Sequence, residues 1–124
     1  MTTAGIAVLA VCHDALTNPQ RSNLYGGKME HAVTRGVQDG FAWLDKRWSV
    51  KDNPGVGDAW HLYYLYGLER AAVFGGRDLL GKHDWYLEGA RVLVDMQKAD
   101  GRWATGQMGP KGTFQSCDGV DTAW

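Results

Sequence analysis

Cysteine is scarce in this chain: Cys12 and Cys117 are the only two in 124 residues, far apart and without CxxC spacing. That usage suits reduced, structural thiols rather than a disulfide scaffold or a zinc knuckle. Neither sign of charge is in excess, the net being -1, so no basic stripe advertises a nucleic acid or an anionic membrane as partner. Long hydrophobic runs are missing as well. Ile6–Val11 is far too short to span a bilayer, and it lacks the basic residues that precede a signal-peptide core. Leu9-Ala10-Val11-Cys12 loosely resembles a lipoprotein box, but Val11 is large for the position before a processed cysteine. No export signal lies within these residues, which leaves the cytoplasm as the default compartment. No stretch alternates with period two, so the all-β and α/β classes find no support. Gly-rich phosphate loops, HExxH, DDxxD and Ser-His-Asp arrangements are likewise missing.

What the chain does hold is glycine and aromatics: 17 Gly, 6 Trp and 5 Tyr. Many of the glycines fall where tight turns would join helices. The length allows one domain, with a core covering about two-thirds of the surface that the unfolded form exposes. The segment Gly57–Phe74, GDAWHLYYLYGLERAAVF, has no proline and places apolar residues in nearly every direction of a helical wheel. It predicts a helix of roughly 25 Å, capped by Asp58 and covered on several sides, with Asp58 and His61 at a polar mouth.

Three further helices follow from the pattern. Thr2 or Thr3 caps AGIAVLAVCHDAL, again apolar on most sides, which ends before Thr17-Asn18-Pro19. After a loop at Asn18–Gly27, Met29, Val33, Gly36, Val37, Gly40 and Leu44 form one stripe, with Lys46 and Arg47 at the C-terminal end that favours cations. Gly36 and Gly40 on that stripe cost about 1 kcal/mol each against alanine, which predicts close approach of a neighbouring helix. Gly75-Gly76 stops the central helix. Asp84–Gln97 then carries the stripe Trp85, Gly89, Val92, Leu93 and Met96. A polar, glycine-rich connection runs on to Gly119, and Asp121-Thr122-Ala123-Trp124 opens another helix. His83 reads as a surface residue, and Glu69-Arg70 as a source of ion pairs to adjacent repeats.

Buried and half-exposed helices therefore alternate. Ala4, Ala59 and Ala123 open the buried ones, and Gly40 and Gly89 hold equivalent places on the outer ones. The expected fold is all-α, a two-layer array of inner and outer helices built from αα-hairpin repeats at about 2–48 and 57–103, with a further helix starting at 120–124.

Gln97-Lys98-Ala99-Asp100-Gly101-Arg102-Trp103, preceded by Leu93, resembles the QW repeat (glutamine, then G-x-W) of squalene and oxidosqualene cyclases. MTTAGIAVLAVC, YYLYGLERAAVFGG, KHDWYLEGARVLVDMQKADGRW and DTAW together look like bacterial prenyltransferase/squalene-cyclase-like repeat proteins. The resemblance implies part of an α/α toroid whose inner helices point their N-terminal ends at a central cavity. It implies an isoprenoid-related function, a non-catalytic toroid holding a lipid, glycan or peptide, or a helical-repeat scaffold for protein. Two hairpins rarely hide their own end faces, so flanking repeats or self-association are expected.

The candidate site sits at the inner-helix mouths. Asp58 and His61, three apart, would make an acid/base pair near a helix N-terminus, or equally a cap and its partner. Asp121, in Asp118-Gly119-Val120-Asp121-Thr122-Ala123, is the nearest match to the Asp-x-Asp-Asp-Thr-Ala acid motif of the cyclases. The resemblance implies a catalytic role for it. With the middle aspartate missing, the plain alternative is a helix cap. Thr3, Trp60 and Tyr64 are expected to line the cavity. The rings of Trp60, Tyr63, Tyr64 and Tyr66 would shield an apolar ligand or pack as core. Protein prenyltransferases hold zinc with Asp-x-Cys and a later His. Here Cys117-Asp118 is reversed and follows His61, so the spacing does not support zinc. The expected ligand is a hydrophobic small molecule, with no cofactor and no metal.

Overall fold

The computed structural model describes residues 2–20, 22–103, 106–108 and 114–116. Four helices follow one another: α1 (Thr2–Thr17), α2 (Ser22–Lys46), α3 (His61–Phe74) and α4 (Trp85–Met96). Two three-residue strands, β1 (Gly106–Met108) and β2 (Phe114–Ser116), pair antiparallel with Gln107 opposite Gln115. This hairpin lies within the stretch that the sequence presents only as a connection. Apart from it the elements are helical and pack on one another. No helix among the described residues is long and apolar enough to cross a membrane. The helix expected at 120–124 lies outside the described residues, as do Cys117 and Asp118.

Helix α1 lies against both α2 and α3, and α3 makes a narrower contact with α4. Glycine sets these approaches. A Cβ added at Gly40 would stand 2.5 Å from Ile6 Cγ1, and one at Gly36 would stand 2.9 Å from Leu9 Cδ1. The α1–α3 crossing uses the same device, Gly67 facing Thr3 Oγ1 at 2.5 Å. Missing side chains here let helix backbones approach and their neighbours interdigitate. The core between the helices contains Ile6, Phe41, Leu44, Val50, Leu62, Leu65, Leu68, Ala71 and Leu80.

Several sequence expectations change in position. Helix α2 starts at Ser22, absorbing residues read as loop, and its buried face is Val33, Phe41 and Leu44 while Met29 is exposed. Thr3 lies inside α1 and does not cap it. Only one side of α1 is covered, by Thr3, Ile6 and Ala10, leaving Val8 and Val11 open. Helix α3 is buried along His61, Leu62, Tyr64, Leu65, Gly67, Leu68, Ala71 and Ala72, but Val73 and Phe74 are exposed. Glu69 and Arg70 pair with each other at 3.5 Å, and the Arg70 guanidinium lies over the Tyr66 and Phe74 rings. The ion pair is thus local and joins no adjacent repeat. Gly89 is not equivalent to Gly40, because nothing stands within 4 Å of its would-be Cβ.

The helix ends follow local chemistry. At the end of α3, Arg77 N–H donates to Ala72 O and Gly76 N–H to Val73 O, with Gly76 at φ 60. This is a Schellman motif, and it satisfies the last carbonyls. At the start of α4, Asp84 accepts from Leu87 N–H at 2.9 Å. Asp84→Ala is expected to cost about 1 kcal/mol in urea denaturation, while Asp84→Asn keeps most of the stability.

Candidate functional site

The segment between α2 and α3 builds the mouth. Asn53 accepts from Val56 N–H and Gly57 N–H and donates its own backbone N–H to Gly57 O at 2.8 Å. Gly55 (φ 88) and Gly57 (φ 70) take the left-handed conformations this tight loop requires. The Asn53 amide donates to Ala59 O at 3.0 Å. The loop is then strapped to α3: Tyr64 OH donates to Ser49 O at 2.9 Å, and His61 Nε2 lies 2.8 Å from Val50 O. A carbonyl oxygen only accepts, so Nε2 of His61 carries the proton.

This strapping displaces the expected start of α3. The helix begins at His61, preceded by Trp60 in a left-handed conformation (φ 58, ψ 31) with no side-chain cap. Asp58 is exposed in the turn before it and caps nothing. Asp58 and His61 therefore do not share a first helical turn, and the His61 imidazole is committed to the loop backbone. Asp121, the third acid/base candidate, lies outside the described residues.

Thr3, Ala4, Asn53, Val56, Trp60, Tyr63 and Tyr64 line a cavity of about 440 Å³. It joins the N-terminal segments of α1 and α3 to the connecting loop. Its rim is unusually bare for apolar side chains: Val56 is 59%, Trp60 54% and Tyr63 41% exposed. Trp60 is also the one non-glycine residue with positive φ among the described residues, a conformation costing roughly 1–2 kcal/mol. Val56 and Asn53 carried no chemical signal in the sequence beyond their place in a Gly/Pro turn. Tyr66, grouped with the mouth aromatics in the sequence, lines a different groove.

Burial, with the nearby Asp52 carboxylate, pushes the Tyr64 phenol up to about 12 from 10.0. The neutral phenol is thus favoured in the folded chain. Its contribution is present below the unfolded value of 10.0 and lost as pH rises toward about 12. Over that window the wild type should lose on the order of 2 kcal/mol more stability than Tyr64→Phe, read as urea midpoints at successive alkaline pH. Equal losses in the two proteins would place this phenol in water.

A second concavity, about 510 Å³, separates α3 from α4 and is lined by Leu62, Leu65, Tyr66, Trp85, Gly89 and Leu93 among others. Next to it lies a cluster that sequence reading missed. His83 stacks on Trp48 (centroids 4.6 Å, 18°), its Nδ1 lies 3.2 Å from Glu88 Oε1, and Trp48 Nε1 donates to Glu88 Oε2 at 2.8 Å. His83 is accordingly no free surface residue. In the QW-like segment, Gln97 Nε2 donates to Gly101 O and Trp103 Nε1 to Leu93 O, stitching the end of α4 to the following turn.

No group of three His, Cys, Asp or Glu side chains among the described residues is placed to hold a metal ion. Among these residues the histidine best placed to ligate, His61, is buried and spends Nε2 on Val50 O. Compared with protein-family models, curated proteins and solved structures, the chain finds no match in any of the three.

Proposed function

We propose that this chain is an α/α-toroid repeat domain, similar to prenyltransferase/squalene-cyclase-like proteins, whose inner-helix mouth holds an apolar small molecule of the isoprenoid kind. In this reading α1 and α3 are inner helices and α2 and α4 outer ones, which the observed contacts α1–α2, α1–α3 and α3–α4 support. The observation that carries the ligand is the exposed apolar rim of Val56, Trp60 and Tyr63 around one cavity. Exposed apolar groups gathered at a concavity mark contact sites, and about 440 Å³ falls within the roughly 300–1,000 Å³ of small-molecule pockets. Asn53 and Thr3 are the polar residues of its lining. Chemistry on the ligand is a further step, and the described mouth offers binding rather than an acid.

Titration with farnesol, followed by tryptophan emission, tests the reading. Trp60→Ala and Tyr63→Ala should each weaken binding about tenfold, or 1.4 kcal/mol, while Tyr86→Ala in the other groove leaves it unchanged. Binding that survives both mouth substitutions, or that fails only with Tyr86→Ala, overturns it.

A further inference from the structure

We propose that Asp100 is a site of backbone isomerisation which the Arg102 side chain holds closed, and that its opening frees Trp103 from the end of α4. Aspartate followed by glycine is the sequence in which this reaction runs fastest, because no Cβ on the second residue keeps its nitrogen from the carboxyl carbon. Such steps occur at Asp39-Gly40, Asp100-Gly101 and Asp118-Gly119. The first lies within α2, where the helical ladder commits the Gly40 N–H. The last lies outside the described residues. Asp100 and Gly101 are exposed in the turn after α4.

In the reaction the Gly101 nitrogen bonds to Asp100 Cγ. The carboxyl O–H and the amide proton leave together as water, and a cyclic succinimide remains. Water then opens the ring. Cleavage of the new bond to Cγ restores aspartate. Cleavage of the original bond to the Asp100 carbonyl carbon leaves isoaspartate, with Cβ and Cγ in the main chain and the mass unchanged. The protonated carboxyl is the reactive form, because an ionised carboxylate is a poor electrophile.

The turn restrains both reactants. Arg102 Nε and Nη2 donate to Asp100 Oδ2 at 3.0 and 2.9 Å, and the Arg102 backbone N–H donates to Oδ1 at 3.1 Å. These bonds, the side-chain ones first, hold the carboxyl below its ordinary value and so in the unreactive ionised form. The nucleophile is engaged as well. Gly101 N–H donates to Lys98 O at 2.8 Å, and Lys98 N–H donates to Arg102 O at 2.9 Å, closing a turn with Gly101 at φ 85. That turn leads directly into Trp103, whose Nε1 donates to Leu93 O at 2.7 Å. Isomerisation inserts an extra main-chain carbon between residues 100 and 101. The Lys98–Arg102 pairing then loses its register, and Trp103 its place.

Incubation of the full chain in mildly acidic buffer, with and without urea, tests this. Isoaspartate is read as the share of the Asp100 tryptic peptide that an isoaspartyl methyltransferase labels. In the folded wild type it should form several-fold more slowly than in urea. Arg102→Ala should raise the folded rate several-fold, with the circular dichroism spectrum and the rate at Asp39 unchanged. Arg102→Lys, which keeps the charge without the fork, should raise it less. As isoaspartate accumulates in Arg102→Ala, tryptophan emission should shift to the red. It should stay in place in the double variant Asp100→Glu with Arg102→Ala, whose longer side chain does not cyclise readily. A wild type that reacts as fast folded as in urea overturns the proposal, as does Arg102→Ala reacting no faster than wild type. If Asp39 also reacts faster in Arg102→Ala, Arg102→Lys decides, and a rate there equal to the wild type overturns the guard. Emission that isoaspartate leaves unmoved overturns the release of Trp103.

Discussion

Gly40→Val is expected to lower the unfolding free energy by about 2–3 kcal/mol, although valine is the better helix former by a few tenths. The reason is the α1–α2 approach. A Cβ at position 40 would stand 2.5 Å from Ile6 Cγ1 and 3.0 Å from Ile6 Cδ1. Ile6 is among the largest fully buried side chains, so it has no free direction in which to yield, and the two helices must separate. Gly89→Ala is the matched control. With open space around its Cβ, alanine there should stabilise the chain by up to about 1 kcal/mol. Urea denaturation of both variants decides the point. If Gly40→Val is as harmless as Gly89→Ala, α1 and α2 do not meet at this distance.

His61→Ala should cost about 3 kcal/mol. The substitution leaves the Val50 carbonyl without its buried donor, a loss of roughly 1–3 kcal/mol. It also empties the volume of a ring that is 4% exposed, which adds a cavity cost. His61→Gln, whose Nε2 reaches about as far as the imidazole Nε2, should recover at least half of the loss. The same bond fixes the loop over the mouth, so His61→Ala should also weaken farnesol binding without touching a lining residue. A cost below about 1 kcal/mol would show that the loop is held by Tyr64 and Asn53 alone.

How much of this was legible in the sequence depends on how far each determinant reaches. The start of α4 near Asp84, the Gly75-Gly76 stop and the meaning of Gly36 and Gly40 could be read because each depends on a few neighbouring residues and one apolar stripe. The start of α3 could not. Asp58 after a glycine is a good cap locally, but contacts of Tyr64 with Ser49 and His61 with Val50 fix the loop so that the helix opens two residues later. His83 was misjudged for the same reason, its partner Trp48 lying across a different connection. The one-sided burial of α1 was illegible too. An all-round apolar pattern tells that neighbours are wanted, not on which sides they are found.

Three indole N–H groups act as the rivets of α4: Trp48 to Glu88, Trp85 to Arg77 O and Trp103 to Leu93 O. Its direct seat on α3 is slight. Held by these fittings and by the apolar flank of Trp85, Val92, Leu93 and Met96, it can lift while the trio α1–α3 stays intact, since local opening follows local contact. Each fitting is also a fluorophore, so that lifting would register in the emission spectrum before any helix melts.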